Sequence, residues 1–228
     1  MPVQASAQAS FFSDPNSGLF MQDSDNDFPD DEDDTELQQA LIEELIERQP
    51  AIAVIRRFAS AASQVRWFVR LGDVLSADER KDARAYLDGL GFAHADPARV
   101  SNWEDAAAAA ASLDWDSDGW AAEEGLRADL THQALETLSD EEFEVVSSFT
   151  LSTVTPMIKA AADEMAEFSE LEDRAILNAA VGSAVQATHA AMLVLLAGEE
   201  DHAFSARYRL FTHGRWPIGV AGMTLNIF

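Results

Sequence analysis

Residues 175–198 read AILNAAVGSAVQATHAAMLVLLAG, 24 positions without a charge. On length alone such a run spans a bilayer, which needs about 20 apolar residues. Its composition argues against that. Asn178, Gln186, Thr188 and His189 interrupt it, much of it is alanine, and Glu199, Glu200 and Asp201 follow with no basic anchor. The alternative is a central helix buried on most sides within a helical domain.

Helix-start signals recur on both sides. A Ser or Thr with Glu or Gln three residues on, the capping-box pattern, occurs at Thr35/Gln38, Ser76/Glu79, Ser101/Glu104, Ser139/Glu142 and Ser169/Glu172. Further starts are expected near Thr155, with Pro156 in the first turn, and just after Pro50. Apolar spacing agrees. Leu37, Leu41 and Leu45 with Ile42 and Ile46 form one stripe, Ile55, Phe58, Ala62, Val65 and Val69 a second, and Leu126, Leu130, Leu135 and Leu138 a third. Stops fall at Gly72, Gly89/Gly91 and Gly198. Only residues 218–228, Gly-rich and ambiguous, hint at a strand. The expectation is an all-α, bundle-like domain of seven to nine helices over residues 36–228, preceded by an acidic disordered tail, 1–35.

The tail holds eight acids in the twelve positions 23–34, with Pro29 among them, and few large aliphatics. The whole chain of 228 residues carries 41 acids against 15 bases, a formal charge of −26. Nine of those acids lie in residues 1–35, so the remainder still has 32 against 15. Such a surface repels phosphate, which disfavours direct nucleic-acid binding and anionic membranes and favours a basic partner. A GC-rich coding genome or a salt-rich cytoplasm would select the same composition, since lysine occurs only at Lys81 and Lys159. The first twenty residues contain no Lys or Arg and no apolar run of leader length, so a cytoplasmic location is expected.

With no cysteine, structural disulfides, thiol nucleophiles and thiolate metal sites are excluded. Nor is there a Gly-x-Ser-x-Gly elbow, a phosphate loop, a His-Glu-x-x-His pair or a dinucleotide fingerprint. Two carboxylate constellations remain. Asp114, Asp116 and Asp118, followed by Gly119, resemble the first six residues of an EF-hand calcium loop, but the twelfth position is Gly125, with Glu123 and Glu124 one and two places early. The competing reading has Asp116, Ser117 or Asp118 capping the next helix. Asp129, His132 and Glu136 share one helical face, and Glu199/His202 repeat the i, i+3 spacing. With a glutamate such as Glu44 or Glu164, they would suit a transition-metal carboxylate bundle.

Arg56, Arg66 and Arg70 are placed on one edge of the second helix, more simply as carboxylate partners than as an anion pocket. The least acidic segment is 207–228. Its Arg207, Arg209, Phe211, Arg215 and Trp216 have the composition of an interface hot spot, although so much apolar surface also suits folding back onto the bundle.

These readings make the leading expectation a soluble, non-enzymatic helical protein that binds a basic protein partner, in the manner of an immunity protein, an inhibitor or a nucleic-acid mimic. It needs no cofactor. Two alternatives follow from the carboxylates: a metal-dependent helical enzyme using Asp129, His132 and Glu136, and a calcium-responsive protein using Asp114, Asp116 and Asp118.

Overall fold

The computed structural model describes residues 50–114, 116–199 and 201–228. The acidic tail, the Thr35/Gln38 helix start and the first apolar stripe lie outside the described residues. Within them the chain is mainly α-helical. In order come α1 (Pro50–Ala62), α2 (Ala77–Gly89), β1 (Asp96–Arg99), α3 (Trp103–Ala111), α4 (Asp118–Leu135), α5 (Asp140–Phe168), α6 (Arg174–Leu196), α7 (Ala203–Thr212), β2 (Pro217–Ala221) and β3 (Thr224–Ile227).

Helix α6 covers most of the uncharged run 175–198. Asp173 caps it, its carboxylate accepting from the amides of Ala175 and Ile176. Gly198 ends it at φ 71°, where the Gly198 amide donates to the Leu195 carbonyl and the Glu199 amide to that of Val194. This is the paired closure for which a left-handed glycine is suited. The helix is long and apolar enough to cross a membrane by length and composition. It nevertheless lies against α1, α3, α4, α5 and α7, with Ala180, Ala184, Ala187, Thr188, Met192 and Leu193 buried. The Thr188 hydroxyl is satisfied by donating to the Ala184 carbonyl one turn back.

The capping grammar holds where no stronger cap competes. Ser76/Glu79 and Ser139/Glu142 both form complete boxes. At the third helix the neighbouring Asn102 takes the cap instead of Ser101, accepting from the Asp105 amide. Ser169 closes α5 rather than opening α6, because Asp173 supplies a carboxylate to two amides. No helix starts at Thr155. Pro156 sits inside the 29-residue α5, on an exposed side, while Val146, Thr150, Val154, Ile158, Ala162 and Ala166 bury the other. A proline costs a helix one hydrogen bond and some bending, and here a long packed stripe offsets that cost.

Helix α1 stops at Ala62, so Val65, Val69, Arg66 and Arg70 do not extend it. Arg70 instead pairs with Asp73 at 3.5 Å and Glu79 at 3.2 Å, as internal carboxylate pairing anticipates. The ambiguous end of the chain does form strands. β2 and β3 make an antiparallel hairpin, interrupted by a register shift at Pro217/Gly219, and β1 joins β3 in parallel with Asp96 opposite Thr224. This small sheet, ordered β1-β3-β2, closes one side of the bundle.

Candidate functional site

A cavity of about 390 Å³ opens between the end of α3, the start of α4, the middle of α6 and strand β2. Leu113, Trp120, Trp216, Ile218 and Val220 supply apolar and aromatic wall. Asn178, Ala179, Gly182, Ser183 and Gln186 come from one side of α6. The size and the mixture of apolar wall with a few convergent polar groups are those of a small-molecule site.

The local sequence explains this placement. Ser117 caps α4 by accepting from the Trp120 amide, which starts the helix at Asp118 and brings Gly119, Trp120 and Glu123 onto the cavity side. Gly182 leaves open space on α6, since a Cβ there would meet nothing within 4 Å. At the far end of α7, Gly214 at φ 80° approaches the backbone of Arg70 so closely that a Cβ would lie 3.2 Å from its amide nitrogen. That turn sends residues 215 and 216 back into the protein.

Beneath the cavity is a buried polar cluster. Arg207 from α7 donates through Nη1 to Glu123 Oε2 at 2.8 Å and through Nη2 to Ser183 Oγ at 3.1 Å. The Tyr86 hydroxyl donates to the other Glu123 oxygen, and Arg127, one turn along α4, stands 3.5 Å from Glu123. The Arg207 guanidinium also lies over the Tyr86 ring, 5.8 Å from its centroid. Burial pushes the Tyr86 hydroxyl well above its ordinary value, and Glu123 adds to this, so it remains a donor at neutral pH. Burial opposes the charge on Arg207, but Glu123 overcomes it and the guanidinium stays protonated. Nearby His189 on α6 is pushed down by burial and by Arg127, which favours its neutral form.

Two of the lining side chains carry a buried donor that has no partner and that water in the cavity does not touch. Arg207 Nε and Trp216 Nε1 are both buried and make no hydrogen bond. An unmet buried donor costs about 1–3 kcal/mol. Trp67 Nε1 is also unmet, but it lies in the aromatic core beside Phe68, Tyr208 and Phe211, away from the cavity lining.

The residues singled out from the C-terminal segment therefore separate. Arg207 and Trp216 meet at the cavity. Phe211 is fully buried against Trp67 and Phe68. Arg215 is 1% exposed, its guanidinium donating to both Glu79 oxygens at 3.0 and 3.1 Å and to the carbonyls of Arg70, Asp73 and Val74. Arg209, with its side chain 47% exposed, pairs with Asp82 at 2.7 Å. As a docking face the five do not form one surface. The segment folds inward, because its aromatic and aliphatic side chains complete the core.

The carboxylate constellations also resolve individually. Asp114 Oδ1 accepts from the Asp116 amide, a local turn, and α4 begins at Asp118 with Ser117 as its cap. The twelve-residue span of an EF-hand loop is thus cut short, and Gly125 lies inside a helix. Asp114 reaches the cavity mouth, while Asp116 and Asp118 are exposed. Asp129, His132 and Glu136 stay on the outer face of α4, with His132 Nδ1 3.6 Å from Glu136 and both largely exposed. His202 does not pair as a ligand, because it caps α7 with Nδ1 accepting from the Phe204 amide. Among the described residues no three His, Asp or Glu side chains group as a metal site.

No sequence motif marks Tyr86, Glu123, Arg127 and Ser183 as site residues. The Glu123/Arg127 i, i+4 spacing was the available signal, but in so acidic a chain it is one pair among many. Comparison with known proteins finds no family model, no curated protein and no solved structure that matches the chain.

Proposed function

We propose that the chain is a helical binding protein whose ligand is a small molecule held in the α4–α6–β2 cavity. The observation that carries this reading is the joining of an apolar cavity of about 390 Å³ to a buried Glu123–Arg207–Tyr86 cluster, of which Glu123 and Arg207 line it. A cavity serving only as a packing defect would gain nothing from charged groups beneath it, since burying them is costly. Saturation-transfer NMR with a panel of uncharged bicyclic aromatics tests it. Signals are expected with the unmodified chain and should vanish in Gly182→Leu, which fills the cavity from α6. A panel with no member bound at millimolar concentration would overturn the reading.

A second reading, the basic protein partner, draws on a different surface. At the C-terminal end of α5, Phe168 is 87% exposed among the exposed carboxylates Asp163, Glu164, Glu167, Glu170 and Glu172. An aromatic anchor with an anionic rim suits a cationic protein face. Phe168→Ala is expected to weaken such an association at least tenfold, and raising salt to weaken it further. Association indifferent to both would remove this reading.

A further inference from the structure

Charge is placed unevenly along this chain. None of its 41 acids falls in residues 48–72, 145–162 or 174–198, stretches that hold seven of its 15 bases. The fold packs these stretches together. Helix α1 lies against α5 and α6, and the core shows which parts meet: Ile52 and Ile55 share a cluster with Val146 and Leu193, and Ala62 shares another with Val154, Ile158 and Ala184. A flank centred on α1 therefore contributes no carboxylate, in a protein of charge −26. Asp73 and Asp163 lie just beyond these stretches, where they pair with Arg70 and Arg174. The exposed positions of α1 are 56, 57, 60 and 61, one helical face that bears Arg56 and Arg57. Gln64 and Arg66 are exposed in the turn after it, and Lys159 is exposed on α5. Arg57 and Arg66 pair with no carboxylate among the described residues.

We propose that this flank is the docking surface for the chain's own segment 23–34, which holds eight acids and no base. Residues 35–49 join that segment to Pro50, where α1 begins. Fully extended, they reach about 50 Å, whereas Arg57 lies only about 10 Å along α1 from Pro50. The tether holds the segment at an effective concentration on the order of millimolar. Surface carboxylates elsewhere repel it, which leaves this flank as its natural resting place. A nucleic acid has no tether and must approach against the charge of the whole molecule, and a second copy brings that same charge with it.

The chain has no cysteine, so Phe28→Cys provides a single attachment point for a nitroxide on the full chain. At about 20 mM salt the amide NMR signals of Ser60, Gln64 and Arg66 are expected to lose at least about half their intensity, and to recover at about 0.5 M, where the Debye length is about 4 Å. Asp129 and His132, on the outer face of α4, should not respond. Replacing the eight acids of 23–34 by Asn or Gln leaves only the tether's own effect, and Arg57→Glu combined with Arg66→Glu should do the same. Broadening that persists undiminished at high salt or with the neutral segment, or no broadening at all, would overturn the proposal. Spin-labelled chain mixed with isotope-labelled chain separates the occupants: broadening in the second chain would assign the flank to another copy and overturn the intrachain contact. A short thymidine oligonucleotide should bind only when the segment is neutral; equal binding to the unmodified chain would show a flank open to external polyanions, and the proposal would fall.

Discussion

Two arginines from adjoining segments of the chain, Arg207 and Arg215, are both buried and both paired with a glutamate, yet their surroundings differ. Arg215 spends its donors on Glu79 and three backbone carbonyls, none of which lines the cavity. It ties the loop after α1 to α2 and the C-terminal turn, and it is complete without any other molecule. Arg207 spends two nitrogens on Glu123 and Ser183, leaves Nε unmet, and belongs to the cavity lining. Burial and pairing alone therefore do not distinguish the two; position at the cavity does.

Breaking the closed cluster should have the largest effect. Arg215→Ala removes the buried guanidinium from both Glu79 oxygens and from three carbonyls, leaving Glu79 only Arg70 and the Ser76 cap, and it is expected to lower stability by about 3–5 kcal/mol in urea unfolding. A loss under 1 kcal/mol would mean that water replaces the guanidinium readily.

The same cluster should respond to acid. Burial alone would raise the Glu79 carboxyl, but the Arg215 guanidinium, the Ser76 amide and the Ser76 hydroxyl together hold it at about 2, below its usual 4.5. A group depressed on folding stabilises the protein fully above its unfolded value and loses that contribution as pH falls through the folded one. Glu79 should therefore contribute about 3 kcal/mol near neutrality, fading between about pH 5 and pH 2. Glu79→Gln should flatten this part of the stability–pH curve; an unchanged slope would place the acid sensitivity elsewhere.

Disturbing the open cluster should cost less. Glu123→Gln keeps the shape but removes the charge opposite Arg207, and about 2 kcal/mol is expected, because the amide oxygen can still accept from Arg207 and the residue borders the cavity. A cost equal to that of Arg215→Ala would erase the distinction between the two. The smallest effect has the opposite sign. Gly182→Ala, in the exposed middle of α6 with no atom near the new Cβ, should stabilise by about 0.5–1 kcal/mol. A destabilisation there would show that this part of α6 is constrained in a way its surroundings do not indicate.

Local signals made the closed parts of the fold legible in the sequence. Ser76/Glu79 and Ser139/Glu142 announce their helices because both halves of each box are three residues apart, and Gly198 announces the end of α6. Signals failed where a neighbour competed, as Asn102 did with Ser101, or where tertiary packing overrode a breaker, as along α5 through Pro156. Strand β1, whose sequence DPAR has no strand character, exists because β3 pairs with it from the other end of the chain. The site is nonlocal in the same way. Apart from Arg127 one turn on, Glu123 draws its partners from 37 residues before it and 84 after it, and no spacing rule connects those two to it.

The most direct test of the account is the indole N–H resonance of Trp216, assigned by its loss in Trp216→Phe, followed while 2-naphthamide is titrated into the full chain. A saturable shift of that resonance is expected as the cavity lined by Trp216 fills, absent in Gly182→Leu. A Trp216 resonance that stays in place while the amide binds would contradict it.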